Sequence, residues 1–203
     1  MSDFTYERGE MKEKFEKYEW DRFWVDTPLD GETKRILSIG DSISAAIKDV
    51  SLKDKEKNIL YDNLATSKAL DNPCFEETIR LYAKQEPSRD VILFNNGLHG
   101  WHLEDETEYK EAFDKMIKFL LHEFRGTPIY VVLTTHLADQ NREKRVIKRN
   151  EAALETAKRY NLPIIDLYKI SLENSALLKN DGVHYDEAGC VLFLNEILKT
   201  LNI

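Results

Sequence analysis

Short apolar segments alternate with amphipathic helical patterns along most of the chain, and this alternation constrains the fold most strongly. Strands that alternate with helical patterns of about 10–15 residues are typical of βα units and a parallel sheet. The candidate strands are apolar along their length, as expected for strands that helices cover on both faces. They span residues 35–39, 58–61, 91–95, 129–134 and 163–167.

Four segments between these strands carry apolar residues three and four positions apart, which predicts helices. Gly126 and Pro163 stand just beyond two of them, as residues that end helices do. The predicted helices span 75–84, 105–124, 142–160 and 186–201. Five strands with intervening helices predict an α/β fold, a flavodoxin-like three-layer α/β/α sandwich with a five-stranded parallel sheet.

The first 30 residues do not follow the alternating pattern. Their large apolar residues begin at helical spacing and continue as an aromatic cluster, namely Met11, Phe15, Tyr18, Trp20, Phe23 and Trp24. We therefore predict that residues 1–30 form an N-terminal helix and aromatic arm packed on a domain of residues 31–203. Disorder of the first several residues is the alternative.

Composition excludes several classes of partner. The 203 residues fit one sizeable domain, and 42% of them are hydrophobic, which is enough for a core. The net charge is −8 with both signs interspersed, so no basic patch suggests a nucleic acid. No apolar run approaches the length of a membrane span, and no secretory leader is visible. These features predict a soluble, cytoplasmic protein; a secreted protein without its signal peptide is the alternative.

Two motifs carry the candidate chemistry. Gly40-Asp41-Ser42 closes the strand at 35–39, which places Ser42 where open α/β sheets have their active sites. Asp181 and His184 precede the last predicted helix, three residues apart, and can therefore share one turn. An aspartate that orients a histidine, and a histidine that deprotonates a serine, form a catalytic triad.

Each motif also has an ordinary structural explanation. Gly-Asp-Ser after a strand is often a turn that caps a helix, and Asp-x-x-His can be a helix cap with a surface histidine. The two motifs together, in this sheet context, favour the triad. The sequence therefore predicts a nucleophile at Ser42, an orienting carboxylate at Asp181 and a general base at His184.

These motifs resemble the blocks of the SGNH (GDSL) hydrolase superfamily, in order over about residues 35–200. The segment 39–42, Ile-Gly-Asp-Ser, is similar to the first block and implies Ser42 as the nucleophile. The segment 181–184, Asp-Gly-Val-His, is similar to the last block and implies the same roles for Asp181 and His184. The resemblance implies a serine esterase that needs no cofactor and no metal.

The middle blocks depart from the family pattern. The second block places a glycine N–H at the oxyanion, and Ala65 stands at that position in the segment 63–68. The third block has an oxyanion asparagine, for which glycine alignment gives His99 and a one-residue slip gives Asn96. The expected oxyanion donors are therefore the N–H groups of Ser42 and Ala65 with a side chain of His99 or Asn96, His99 being slightly preferred.

The resemblance also implies the kind of substrate. The family acts on acyl groups of carbohydrates, lipids or small esters, and polar loops favour short acyl groups, with O-acetylated sugars first. Trp101 is either a packing residue or a stacking surface for a sugar ring. A lysophospholipase or thioesterase is the alternative enzyme, and a degenerate saccharide-binding member without catalysis is the alternative from another class. The oligomeric state is not predicted.

Overall fold

The fold is a six-stranded sheet between two layers of helices. It was analysed in a computed structural model that describes residues 15–53, 59–85, 88–103 and 105–203. The strands are β1 Asp21–Trp24, β2 Arg35–Gly40, β3 Leu60–Thr66, β4 Val91–Phe94, β5 Ile129–Val132 and β6 Ile164–Ile165. Their order across the sheet is β1-β3-β2-β4-β5-β6.

Strands β2 to β6 pair in parallel, and β1 pairs antiparallel with β3 at one edge. The predicted α/β sandwich with five parallel strands is therefore confirmed, and β1 is an additional strand that the sequence analysis did not identify. The predicted strand at 58–61 becomes a longer β3, and its residue 58 lies outside the described residues.

Six α-helices lie in the part of the chain that the structure describes. They are α1 Ser42–Ser51, α2 Phe75–Ala83, α3 Glu106–Glu123, α4 Gln140–Arg159, α5 Leu167–Glu173 and α6 Glu187–Leu201, and a short 3₁₀ helix spans Ser175–Leu177. Helices α2, α3, α4 and α6 agree with the prediction. Helix α1 was not predicted, although its buried residues Ile43, Ile47 and Val50 stand at helical spacing. Among the described helices, none has the length and apolar character to span a bilayer.

Alternate residues of each central strand enter different cores, as the two-residue period of a strand requires. In β2, Leu37 packs into a core with α2, α3 and α4, whereas Ile36 packs into a core with α1 and α6. In β4, Ile92 and Leu93 divide between the two cores in the same way. Helices therefore cover both faces of the sheet, and its carboxyl edge stays free for the site.

A buried ion pair attaches the N-terminal part of the chain to the sheet. Arg35 and Asp62, both with fully buried side chains, lie 2.9 Å apart on neighbouring strands. Arg35 also donates to the carbonyl oxygens of Asp26, Thr27 and Asp30. These bonds hold the connection between β1 and β2. Residues 21–24 of the predicted aromatic arm form the edge strand β1, which pairs with β3.

The predicted N-terminal helix lies largely outside the described residues, since Met11 precedes residue 15. Residues 15–20, which include Phe15 and Tyr18, form bends and irregular chain. Trp20 continues the pairing of β1, because the N–H of Ser67 donates to its carbonyl oxygen at 3.1 Å.

Candidate active site

The two predicted motifs meet at the carboxyl edge of the sheet. Strand β2 ends at Gly40, and Ser42 is the first residue of α1, half-buried at this edge. His184 lies in the segment that precedes α6. The site is therefore at the crevice beyond the carboxyl ends of the strands, where open α/β sheets bind their ligands.

Asp41 makes the sharp passage from β2 into α1. Its Oδ1 accepts a hydrogen bond from the N–H of Ile43 at 2.8 Å, and its carbonyl oxygen accepts one from Ser44 Oγ at 2.7 Å. Gly40 lets the end of β2 lie close to the Ser44 side chain, because a Cβ at this position would be only 2.9 Å from that side chain. Asp41 is thus the N-cap of α1. The N–H of Ser42, in the first turn, needs no partner within the helix.

Ser42, His184 and Asp181 form a continuous hydrogen-bonded chain. Ser42 Oγ lies 2.8 Å from His184 Nε2, and His184 Nδ1 lies 2.9 Å from Asp181 Oδ2. Ser42 and His184 are 142 positions apart in the sequence. If Nδ1–H donates to Asp181, Nε2 is free to accept the hydroxyl proton of Ser42. The structure therefore brings together all three predicted triad residues.

A tight turn holds the aspartate and the histidine. Asp181 Oδ1 accepts the N–H groups of Val183 and His184 at 2.9 and 2.8 Å. Gly182 has φ +71°, a left-handed conformation that a side chain disfavours, and its carbonyl oxygen accepts the N–H of Ala138. The turn is thus closed by its own backbone and anchored to the loop after β5.

The same turn sets the charge of Asp181. The backbone N–H groups of His184 and Val183, followed by the His184 imidazole, lower the pKa of the Asp181 carboxyl to about 2. Asp181 is consequently ionised at every pH near neutrality. A permanent carboxylate beside Nδ1 can stabilise an imidazolium when His184 takes up a proton.

The structure corrects the predicted role of Ala65. This residue lies fully buried inside β3, with β2 on one side and β1 on the other. Hydrogen-bonded pairs recur every second residue in an antiparallel ladder, and Ser67 N–H already bonds Trp20 of the adjoining segment. The N–H of Ala65 therefore points toward β1 and away from Ser42. The orientation of this N–H depends on the pairing with β1, which the sequence pattern does not reveal.

Asn96 and His99 have different surroundings. Asn96 is 2% exposed, and its Nδ2 donates to the carbonyl oxygen of Lys68 at 2.8 Å. It therefore connects the segments that follow β3 and β4. His99 is partly exposed, with 19% of its side chain accessible, and its Nδ1 lies 3.6 Å from Glu16 Oε1. Of the two candidates, His99 has the side chain that is not committed to a backbone carbonyl.

Trp101, the predicted substrate-binding residue, packs against arginines of α4. The guanidinium carbons of Arg142, Arg145 and Arg149 lie 5.4, 5.1 and 4.5 Å from the centre of its ring. The ring area that meets these groups is not open to a sugar. The contacts of Trp101 are thus those of a packing residue, and stacking on a substrate stays a prediction.

Two groups near the site were missed by the sequence analysis, Arg149 and Glu16. Arg149 donates to backbone oxygens of the loop that carries His99, and Glu16 accepts the N–H of Gly100 from the same loop. Both contacts join distant parts of the chain and leave no local signal. His102 faces Asp71, and no cluster of three metal-ligating side chains occurs among residues 15–53, 59–85, 88–103 and 105–203.

Comparison with solved structures identifies the fold. A member of the lipolytic G-D-S-L family from Veillonella parvula superposes with a TM-score of 0.66, 17% identity and coverage of 83% of this chain and 98% of that one. The acetyl xylan esterase AlAXEase gives a TM-score of 0.63, with 15% identity over 82% of this chain and 99% of that one. The chain has the SGNH hydrolase fold. The predicted resemblance is therefore confirmed, and the triad motifs lie on the fold that they implied.

Proteins that share the SGNH fold with this chain include acyltransferases. The C-terminal catalytic domain of peptidoglycan O-acetyltransferase A from Streptococcus pneumoniae gives a TM-score of 0.65, with 17% identity over 85% of this chain and 94% of that one. Two Staphylococcus aureus proteins, from strains COL and MRSA252, are described as candidate O-acetyltransferases. Each is 28% identical over 169 residues, 82% of this chain. The chain spans only 23% of the length of these curated relatives. No protein-family model matches the chain.

The buried carboxyl group of Asp41 predicts how the stability of the protein depends on pH. Burial raises its pKa, against the opposing effect of His99, and its Oδ2 has no hydrogen-bond partner among the residues that the structure describes. A carboxyl group whose pKa is higher in the folded than in the unfolded state stabilises the folded protein when it is protonated. This contribution is complete below the unfolded-state pKa of about 3.9, and it is lost as the pH rises through the folded-state pKa. Asp41→Asn keeps the capping oxygen and has no charge to bury.

We therefore expect the melting temperature of Asp41→Asn, relative to wild type, to rise between about pH 4 and pH 7. Thermal unfolding followed by circular dichroism at several pH values measures the difference. Asp186→Asn is the matched control, because Asp186 also caps a helix but is only partly buried. A difference between Asp41→Asn and wild type that stays constant with pH would contradict the prediction.

Proposed function

We propose that the protein is a serine esterase that cleaves short-chain acyl esters through an acyl-enzyme, with O-acetyl groups of carbohydrates as the foremost substrates. The observation that carries this proposal is the chain of hydrogen bonds from Ser42 through His184 to Asp181, at 2.8 and 2.9 Å. This geometry lies within the range that nucleophile–base pairs require. The half-exposed imidazole, 39% accessible, leaves room for an ester to approach.

The first half of the reaction acylates the serine. His184 Nε2 takes the hydroxyl proton as Ser42 Oγ bonds to the ester carbonyl carbon, and the carbonyl oxygen becomes an oxyanion. The imidazolium returns the proton to the alcohol oxygen when the bond between carbonyl carbon and alcohol oxygen breaks. The alcohol leaves, and the acyl group stays on Ser42.

The second half reverses these roles with water. His184 removes a proton from a water molecule, whose oxygen bonds to the acyl carbon. The proton then returns to Ser42 Oγ as the carboxylic acid leaves. In both halves, the Asp181 carboxylate holds the imidazole tautomer and stabilises its protonated form.

The oxyanion requires donors placed near the Ser42 side chain. The Ser42 N–H at the start of α1 and the imidazole of His99 are the donors that we assign to it. Each such donor contributes roughly 3 kcal/mol to transition-state stabilisation. Asn96 is assigned a structural role because its Nδ2 already bonds Lys68.

The names of structural neighbours support the acetyl preference, since two acetyl xylan esterases are among them. A small-molecule or saccharide ester is accordingly the proposed substrate, and cytoplasmic location stays the proposal from the sequence. Lysophospholipid or thioester cleavage is the alternative within the same chemistry. A saccharide-binding protein without catalysis is the alternative that does not use the triad.

Transfer of an acyl group is a second candidate function. It is favoured by the 28% identity to the S. aureus proteins described as candidate O-acetyltransferases. The acyl-enzyme would be the same, and a sugar hydroxyl would replace water in the second half. The balance between the two functions depends on which hydroxyl reaches His184.

The first prediction from this proposed function concerns hydrolysis of p-nitrophenyl acetate, butyrate and octanoate. We expect turnover that is fastest with acetate and abolished in Ser42→Ala, because no other group supplies the nucleophile. Asp181→Asn keeps a carbonyl oxygen for the turn but favours the wrong imidazole tautomer. We expect its kcat to fall by about 10³–10⁴, with a far-UV circular dichroism spectrum like that of wild type.

Asp186→Asn is again the matched control, because it removes a carboxylate close to the triad without touching it, and its kcat should stay within about threefold of wild type. Turnover that persists in Ser42→Ala would refute the mechanism. A folded wild-type protein that hydrolyses none of the three esters would favour the binding protein or a narrower substrate.

A second prediction separates the two oxyanion candidates. We expect His99→Ala to lower kcat for p-nitrophenyl acetate by about 10²–10³ with little loss of stability. Asn96→Ala should instead lower the melting temperature, since it leaves a buried carbonyl of Lys68 unpaired, with a smaller change in kcat. Steady-state kinetics and thermal unfolding of both variants measure this. The reverse pattern would assign the oxyanion to Asn96.

A third prediction distinguishes hydrolysis from transfer. With p-nitrophenyl acetate and an excess of an N-acetylglucosamine oligomer, an esterase releases acetate and leaves the sugar unchanged. A transferase forms O-acetylated sugar, and added acceptor increases p-nitrophenol release when deacylation limits the rate. We expect acetate as the main product, measured by mass spectrometry of the sugar with Ser42→Ala as the blank. O-acetylated sugar as the main product would support the second candidate function.

A further inference from the structure

Arg149 on α4 binds the backbone of the loop that carries His99. Its Nη1 donates to the carbonyl oxygens of Gly97 and His99 at 3.0 and 2.7 Å, and its Nη2 donates to that of Gly100 at 2.7 Å. One side chain from another element thus holds three of the four residues in the segment 97–100, named here the His99 loop.

The burial of Arg149 makes this arrangement unusual. The residue is 2% exposed, and within the described part of the chain no carboxylate lies within 4.0 Å of its guanidinium group. Burial lowers the pKa of Arg149 to about 10, so the group is still a cation near neutral pH. A buried cation is costly unless its donors are satisfied. Here the loop carbonyls accept three of its five N–H groups, and the rings of Trp101 and Tyr109 lie 4.5 and 4.6 Å away.

Other contacts confine the same loop. Gly97 packs against Thr134 so closely that a Cβ would lie 1.8 Å from Thr134 Oγ1. Gly100 has φ +70°, and its N–H donates to Glu16 Oε1 at 2.7 Å. Both ends of the His99 loop are therefore fixed, and Arg149 bonds the carbonyl of His99 itself between them.

We propose that Arg149 is a positioning residue that sets the His99 imidazole toward the oxyanion formed at Ser42. The inference rests on the proposed esterase function. A displacement of about 1 Å in a catalytic group can cost 10²-fold in rate, so the accuracy of this loop matters to kcat. A lysine cannot replace the planar fork, because its single nitrogen cannot reach three carbonyl oxygens with the same geometry.

The test combines Arg149→Lys with His99→Ala. For p-nitrophenyl acetate we expect Arg149→Lys to lower kcat by about 10- to 100-fold and to change KM by less than about threefold. If Arg149 acts through His99, the double variant Arg149→Lys/His99→Ala should have the kcat of His99→Ala alone. Effects that multiply in the double variant would overturn the proposal.

Arg145→Lys is the matched control. Arg145 lies one helical turn before Arg149 and donates to the carbonyl oxygens of Trp101 and Leu103, just beyond the His99 loop. We expect it to lose a comparable amount of thermal stability but to keep kcat within about threefold. Equal losses of kcat in Arg145→Lys and Arg149→Lys would mean general loosening and would overturn the proposal.

Hydrogen exchange separates failure of this inference from failure of the proposed function. In ¹⁵N-labelled protein, the amide of Gly100 should exchange faster in Arg149→Lys than in Arg145→Lys, whether or not any ester is hydrolysed. Unchanged exchange would overturn the positioning role. If the wild type hydrolyses no ester, the proposed esterase fails, and the exchange result alone decides whether Arg149 orders the loop.

Discussion

The packing of α1 against α6 on one face of the sheet is the interaction on which the site depends. Ile43 and Ile47 of α1 share a buried core with Phe193 and Ile197 of α6. Ser42 is the first residue of α1, and His184 lies three residues before α6. Because the two helices pack side by side with their N-termini at the same edge of the sheet, Ser42 and His184 lie next to each other. The 2.8 Å contact between Ser42 and His184 is thus set by the apolar core beneath it. Because a close-packed core leaves its side chains little freedom to move, it fixes the relative positions of the two helices and of the residues at their N-termini.

The parts of this protein that could be predicted from sequence are those written in local patterns. The apolar runs of β2 and β4, the stripes of α3 and α4, and the Asp181–His184 turn each lie within one continuous segment of the chain. Strand β1 could not be predicted, because its four residues are all exposed and gain their strand conformation from pairing with β3. The error at Ala65 has the same origin, since only that pairing shows where its N–H points.

The two large buried arginines could not be predicted for a different reason. Arg35 is the first residue of a strand and Arg149 stands in an amphipathic helix, and an arginine at either position is expected to be exposed. The two terminal nitrogens of Arg35 donate to Asp62 and to three carbonyl oxygens of the connection after β1. The two terminal nitrogens of Arg149 donate to carbonyl oxygens of the His99 loop. In both cases a guanidinium group holds a segment of irregular chain in place. Its several N–H donors, fixed in one plane, suit it to bind more than one carbonyl oxygen. These contacts join distant parts of the chain and therefore leave no signal in the local sequence.

The orientation of Ala65 changes which interactions an oxyanion at this site would need. With its N–H directed toward β1, the donors that we assign are the Ser42 N–H, fixed by the first turn of α1, and the imidazole of His99. The first is set by Asp41 and Gly40 and has little freedom. The second is carried by a loop, which can hold an accurate position only through contacts outside itself. Fewer donors place a greater demand on the accuracy of each, and the buried guanidinium of Arg149 supplies the accuracy that a loop lacks.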